Sequence, residues 1–90
     1  MFLHLGNDVV VPYRDVVAIY DMDTTTISKI SREFLAAAEI GGLVENVSEE
    51  LPKSYILCEK DKKKRIYVSP ISSVTLHKRF DELFGGKVNA

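Results

Sequence analysis

Short apolar runs separated by turn-forming residues dominate the first part of the chain. Residues 2–5 and 9–11 are apolar, and residues 6–8 (Gly-Asn-Asp) between them favour a tight turn, so this stretch predicts a β-hairpin. After a second turn at 12–15, residues 16–20 are almost continuously apolar, which predicts a strand covered on both faces. Together these runs predict a three-stranded meander.

The next segment changes to helical spacing. A helix is predicted over about 26–40, with Asp23 or one of the threonines at 24–26 as its cap and residues 41–42 (Gly-Gly) at its end. Residues 43–47 are consistent with a short strand. The apolar face of the helix carries Ile27, Ile30, Phe34, Ala37 and Ala38.

A second hairpin is predicted over residues 54–69. Two apolar runs, 55–58 and 66–68, flank the charged segment 59–65, which cannot be buried. Ser69 and Pro70 then provide an N-cap and a first helical residue for a second helix ending near Phe84.

The order of strands, helix, strands and helix indicates the fold class. Adjacent strands, rather than strict alternation of strand and helix, favour an α+β fold with a mostly antiparallel sheet of about five to six strands and two helices. A chain of 90 residues suggests one domain. We assign residues 1–84 to it and expect 85–90 to form a flexible tail.

Charge is distributed unevenly along the chain. The formal net charge is −1, which argues against a protein that coats nucleic acid by charge alone. Residues 1–50 contain three basic and nine acidic residues, whereas 51–90 contain nine basic and four acidic residues, giving balances of −6 and +5. This asymmetry predicts one acidic and one basic surface, which could meet head to tail in an oligomer or bind an external polyanion.

The dense basic cluster at residues 60–65, the basic tip, is the candidate nucleic-acid site. Ammonium groups here would contact phosphates of double-stranded DNA. The competing interpretation is a solvated turn that keeps a hairpin soluble. The candidate contacts are Lys60, Lys62, Lys63, Lys64 and Arg65, with Lys53 and Arg14 in support.

Other chemistry is not indicated by the sequence. Cys58 is the single cysteine and the two histidines are His4 and His77, so no metal-ligand spacing exists and we expect no metal, no cofactor and no enzymatic activity. The start of the chain lacks the features of a signal peptide, and no apolar run reaches the ~20 residues that span a membrane. These observations predict a cytoplasmic protein with no membrane partner.

Several stretches resemble a known family. Residues 1–6 (MFLHLG), 15–21 (DVVAIYD), 55–58 (YILC) and 66–69 (IYVS) resemble extracellular matrix regulators of the RemB (YaaB) type, which are related to the RemA family. The resemblance implies a cytoplasmic transcription regulator linked to biofilm matrix genes in spore-forming bacteria. RemA-type proteins bind DNA and assemble into rings, which implies a homo-oligomer whose weak DNA contacts add together.

The chain departs from the RemA pattern at the implied DNA contacts. Where RemA-type sequences carry two arginines before a strand, residues 49–53 read Glu-Glu-Leu-Pro-Lys, and Asp15 replaces another arginine, with Arg14 beside it. Two hypotheses therefore remain. Either the basic tip replaces those contacts, or the chain is a protein-interaction module that partners a RemA-like protein without binding DNA. The acidic surface of the second hypothesis comprises Asp21, Asp23, Glu45, Glu49 and Glu50.

Overall fold

The computed structural model describes residues 1–22 and 36–83, which form six strands and parts of two helices. This confirms the predicted α+β class. Helix α1 is described over residues 36–40, α2 spans Ser73–Glu82, and a short 3-10 turn occupies Tyr13–Asp15. The strands are β1 (Phe2–Gly6), β2 (Val9–Pro12), β3 (Val16–Asp21), β4 (Val44–Asn46), β5 (Ser54–Lys60) and β6 (Lys63–Ser69).

The strands are divided between two sheets. β1 and β2 form a small antiparallel sheet, and the larger sheet has the order β3-β5-β6-β4, in which only the β4–β6 pairing is parallel. The predicted three-stranded meander is therefore wrong: β3 pairs with β5 and not with β2, because the 3-10 turn separates it from the first hairpin. β3 is also an edge strand with Val17 and Tyr20 exposed, so the prediction that both its faces are covered is wrong as well.

The core lies between the small sheet, α2 and one face of the large sheet, which we call the inner face. Apolar side chains from all three meet there because each has one apolar surface to remove from water. Part of α1 lies near the opposite face, where Ala36 and Glu39 border a cavity with Tyr55 and Val68. The buried core cluster comprises Leu3, Leu5, Val11, Val47, Ile56, Cys58 and Leu76.

Ser69 links the two sheets, which corrects its predicted role as the cap of the second helix. The buried Ser69 hydroxyl donates to the Leu5 carbonyl at 2.6 Å and accepts from the Ile71 amide at 3.0 Å. The helix cap is instead Ser72, whose Oγ accepts from the Thr75 amide at 3.2 Å. Ser69 therefore fixes β1 against the end of β6.

Two glycines have conformations that explain their presence. Gly6 has φ +125°, and a Cβ there would lie 3.2 Å from a Val47 methyl and 3.3 Å from the Pro70 ring, so glycine permits close packing of the two sheets. Gly42, two residues after the end of α1, has φ +75°, which confirms the predicted helix end.

Some predictions fall partly outside the described residues. The helix predicted over 26–40 is observed as helix at 36–40, whereas its cap and residues 26–35 lie outside the described parts. Phe84 and the predicted tail also lie outside them. The strand predicted within 43–47 is confirmed as Val44–Asn46. Neither helix, over residues 1–22 and 36–83, is long and apolar enough to cross a membrane.

Candidate nucleic-acid interface

The hairpin formed by β5 and β6 has a tight two-residue turn at its end. The strands pair in continuous register from Ser54 opposite Ser69 to Lys60 opposite Lys63, which leaves Asp61 and Lys62 as the turn. Both have positive φ, +53° and +67°, the pattern of a type I′ turn. Because Asn-Gly and Asp-Gly are the preferred pairs in such turns, Lys62 occupies the position where glycine is favoured.

The charged residues near the tip lie on two different faces of the hairpin, as the strand register shows. Directly opposite residues share a face of the sheet, so Lys60 and Lys63 lie together on the inner face, while Glu59 and Lys64 lie together on the opposite face. The Glu59–Lys64 pair is complementary in charge. The Lys60–Lys63 pair joins two like charges, which is unfavourable for the sheet. Positive charge is therefore concentrated on the inner face of the hairpin end.

Arg65 is held by an acidic neighbour. Its Nη1 donates to Glu45 Oε1 at 2.9 Å, and the two side chains are 55% and 43% exposed, so the pair contributes at most about 1 kcal/mol. Among the described residues, no ion pair involves the lysines of the basic tip. Those four lysines are exposed, and they outnumber Glu59 and Asp61, the two carboxylates of the hairpin end.

The two supporting residues of the predicted site lie at opposite ends of the large sheet. Arg14 lies in the 3-10 turn before Val16, which pairs with Cys58, so it is on the same side of the molecule as the tip. Lys53 precedes β5 and lies at the other end of the hairpin, roughly 23 Å along the strand from Lys60 at about 3.3 Å per residue. The structure thus places Arg14, but not Lys53, near the tip.

The basic segment of α2 also lies apart from the tip. His77 and Lys78 are exposed on this helix, and Arg79 Nη1 lies 3.3 Å from the carbonyl oxygen of His4 in β1. The His4 ring is exposed, and its Nε2 lies 2.7 Å from the Asn7 carbonyl oxygen. The Arg79–His4 contact connects α2 with the small sheet. Neither contact places positive charge at the hairpin end.

A groove lies beside the tip, where the inner face extends past the small sheet. Its volume is about 560 Å³. Sequence reasoning missed this groove because its walls come from β2, the 3-10 turn, Leu43 before β4 and the hairpin, which no local pattern relates. The apolar lining comprises Val10, Val11, Pro12, Leu43, Cys58 and Tyr67, and the charged lining comprises Asp15, Lys60, Asp61, Lys63, Lys64 and Arg65.

Two groups at the groove have perturbed acidity. Burial, with a smaller contribution from Asp15, raises the pKa of the Cys58 thiol to about 11. Burial and the nearby Glu45 carboxylate raise the pKa of the Tyr67 phenol above its usual value. At neutral pH both groups are therefore protonated. Cys58 is a buried core residue.

The described residues show no arrangement that would hold a metal. Over 1–22 and 36–83, no three His, Cys, Asp or Glu side chains are grouped suitably for an ion. The chemistry that the hairpin end offers is thus that of exposed ammonium groups beside an apolar groove, which suits binding of anions.

Comparison with known proteins identifies the family. The model of the RemA-like family, described as extracellular matrix regulatory protein A-like, matches residues 2–80. Extracellular matrix regulatory protein B of Bacillus subtilis (strain 168) is 39% identical over 84 residues, which cover 93% of this chain and 95% of that protein. The chain belongs to the RemA-like family. Membership confirms the resemblance found in the sequence.

The family match includes the whole candidate interface. Residues 2–80 contain all six described strands, the basic tip and the groove, so these features belong to the RemA-like domain itself. The structure brings Lys60, Lys62, Lys63 and Lys64 together in this domain, with Arg14 on the same side of the molecule, Arg65 paired to Glu45, and Lys53 remote.

Proposed function

We propose that this RemA-like chain is a transcription-regulatory protein that binds the phosphate backbone of double-stranded DNA through its basic tip, as a homo-oligomer. One observation carries the proposal: the hairpin holds lysines in positions that are unfavourable for its own stability. Lys62 has φ +67° where glycine is preferred, and Lys60 lies directly opposite Lys63. Residues that occupy positions unfavourable for the stability of the fold are frequently functional.

The cost of these lysines is substantial for a small domain. A non-glycine residue in the left-handed region costs roughly 1 kcal/mol relative to glycine. Like charges directly opposite in a sheet add up to about 1 kcal/mol. Folded domains are stable by only about 5–15 kcal/mol, so selection for stability alone would favour glycine at Lys62 and an acidic or uncharged partner for Lys60.

The exposed position of the tip suits contact with a polyanion. Residues 59–65 are all exposed, so their side chains reach phosphates without rearrangement of the core. Each phosphate that a lysine neutralises adds about 0.9 to the slope of log K against log salt concentration. A chain with a net charge of −1 has few such contacts, so several copies on one duplex would be needed for tight binding.

The small sheet offers a surface for self-association. Phe2 is opposite Pro12 and His4 is opposite Val10, which puts these four side chains on the surface of β1 and β2 that faces away from the core. Phe2 is 62% exposed and Val10 is 49% exposed. Adjacent exposed apolar side chains of this size favour contact with another protein surface, which supports the homo-oligomer.

The substitution Lys62→Gly tests DNA binding without damage to the fold. Glycine removes one positive charge and relieves the backbone conformation, so the variant should be more stable by about 1 kcal/mol yet bind mixed-sequence duplex DNA more weakly. Fluorescence anisotropy over a salt series gives the slope of log K against log salt concentration. The magnitude of this slope should fall by about 0.9, because one phosphate is no longer neutralised. Lys78→Gln, which removes an exposed charge from α2, is the matched control and should leave the slope unchanged. Equal affinity and slope for wild type and Lys62→Gly would contradict the role of the tip.

A second candidate function rests on the loop before β5. Glu49 and Glu50 are exposed there, and Leu51 is 79% exposed although it is a large apolar residue. An exposed leucine beside two carboxylates suits a partner with an apolar pocket and basic residues, such as a RemA-like protein. Pull-down with a RemA-like protein should then be abolished in a Glu49→Lys, Glu50→Lys variant. Retention of binding in that variant would exclude this loop as the interaction surface.

A further inference from the structure

The groove beside the basic tip combines an apolar floor with a cationic end. We propose that it is a binding site for a nucleoside phosphate, with the phosphate between Lys60 and Lys63 and the heterocycle against Tyr67 and the apolar floor. This site needs one chain and no DNA, but it shares Lys60 and Lys63 with the proposed DNA contacts and Val10 with the proposed self-association surface.

The phosphate end of the site follows from the strand register. Lys60 and Lys63 are directly opposite, so their Cβ atoms are about 4.5–5.5 Å apart and both side chains start from the same face. Two ammonium groups so placed can contact one phosphate from two sides. A bound anion would also offset the repulsion between them, which favours an anionic ligand.

The floor of the groove suits a flat apolar body. Val10 and Leu43 expose apolar surface there, and Tyr67 presents a half-buried aromatic ring. A nucleobase can stack on an aromatic side chain of this kind. The volume of about 560 Å³ is within the range of about 300–1,000 Å³ that is usual for small-molecule sites.

Three carboxylates shape the charge of the groove: Asp15 and Asp61 line it, and Glu45 pairs with Arg65, which also lines it. Asp15 is half-buried and lines the groove, where it can accept a hydrogen bond from a ribose hydroxyl or an exocyclic amino group. Glu45 pairs with Arg65 at 2.9 Å and lies opposite Tyr67, so it holds the guanidinium beside the ring. A ligand with an anionic end and hydrogen-bond donors at the other end matches this distribution better than a simple anion does.

Titration of the full chain by NMR tests the site directly. With adenosine and guanosine monophosphates as probes, the amide signals of Val10, Cys58 and Tyr67 should shift and saturate at millimolar concentration or below, about −4 kcal/mol of binding free energy. Adenosine and inorganic phosphate, each alone, should bind at least about tenfold more weakly, since each can make only half of the interactions. Absence of saturation by the nucleotides, or equal binding of phosphate alone, would overturn the proposal.

Variants separate the two ends of the site. Lys60→Gln with Lys63→Gln should weaken nucleotide binding at least about tenfold, and Leu43→Trp should block the floor without a change in tip charge. Asp15→Asn should weaken nucleotide binding, because it removes the carboxylate acceptor for the nucleoside, and should strengthen binding of inorganic phosphate, because it lowers the negative charge of the groove. Lys78→Gln on α2 is the control with wild-type binding. If Leu43→Trp retains nucleotide binding, the groove is not the site. DNA binding is tested separately by the Lys62→Gly variant, because Lys62 does not line the groove.

Discussion

Replacement of Ser69 by alanine should destabilise the protein far more than the loss of one oxygen atom suggests. Ser69 is 0% exposed, and its hydroxyl joins β1 of the small sheet to the segment that leads into α2. The β1–β2 register is interrupted between His4 and Gly6, so Leu5 has no partner residue in β2, and the Ser69 hydroxyl donates to its carbonyl. Alanine cannot donate to it.

The size of the effect follows from the two groups left without a partner. A buried polar group that loses its hydrogen bond costs about 1–3 kcal/mol. The Leu5 carbonyl is in a buried residue and the Ile71 amide is in a half-buried one, so we expect a total loss of about 2–4 kcal/mol in the free energy of unfolding. This is a large share of the about 5–15 kcal/mol that stabilises a typical domain.

Urea unfolding followed by circular dichroism measures this loss. The midpoint for Ser69→Ala should fall by on the order of 1–2 M urea. Ser48→Ala is the matched control, because the Ser48 hydroxyl accepts one bond, from the Glu50 amide, at an exposed position; its effect should stay below about 0.5 kcal/mol. If Ser69→Ala is as stable as wild type to within that margin, Ser69 does not hold the two sheets together.

Three further predictions concern the core, the thiol and the tip. Leu76→Ala should lower the free energy of unfolding by about 2–5 kcal/mol in urea unfolding, because Leu76 is fully buried; a loss below about 1 kcal/mol would contradict the packing. Because the pKa of Cys58 rises from 9.0 to about 11 on folding, the folded chain retains the thiol proton longer, so stability should fall between pH 9 and 11. Cys58→Ala should reduce that decline in stability. If the variant's free energy of unfolding falls with pH as it does in the wild type, the thiol is not its cause. Glu45→Gln should leave stability within about 1 kcal/mol and strengthen DNA binding by freeing Arg65, whereas weaker binding would contradict this.

The hairpin of residues 54–69 is the part of the fold that sequence predicts best. Its apolar runs are short, its middle is too charged to bury, and both strands are local in sequence, so the pairing follows from nearby residues alone. The type I′ turn is less predictable, since Asp61 and Lys62 lack the glycine that marks such turns.

Long-range pairing explains what the sequence could not predict. The apolar run at 16–20 suggests a central strand, but its position at the edge depends on β5, far along the chain. Likewise, Ser69 followed by Pro70 has the local pattern of a helix start, whereas its hydroxyl bonds to the distant Leu5 carbonyl. Local propensity indicates the element type in both cases, and tertiary contacts decide the role.

The candidate site also combines features that the local sequence predicts with features that depend on tertiary contacts. The basic residues of the tip are contiguous, so they form a cluster that the sequence reveals, but their separation onto two faces depends on the register of β5 and β6. The pairing of Arg65 with Glu45 and the groove floor at Leu43 both depend on the parallel contact of β4 with β6, for which the sequence has no local signal.

The most direct test of the central claim is the salt dependence of DNA binding for the triple variant Lys62→Gln, Lys63→Gln and Lys64→Gln. Wild-type protein should bind mixed-sequence duplex DNA with a clear inverse dependence on salt concentration. The triple variant, folded by circular dichroism, should bind more weakly, with a slope lower by up to about 2.7 if three phosphates are no longer neutralised. Unchanged affinity and slope in the folded triple variant would contradict the claim that the basic tip binds DNA.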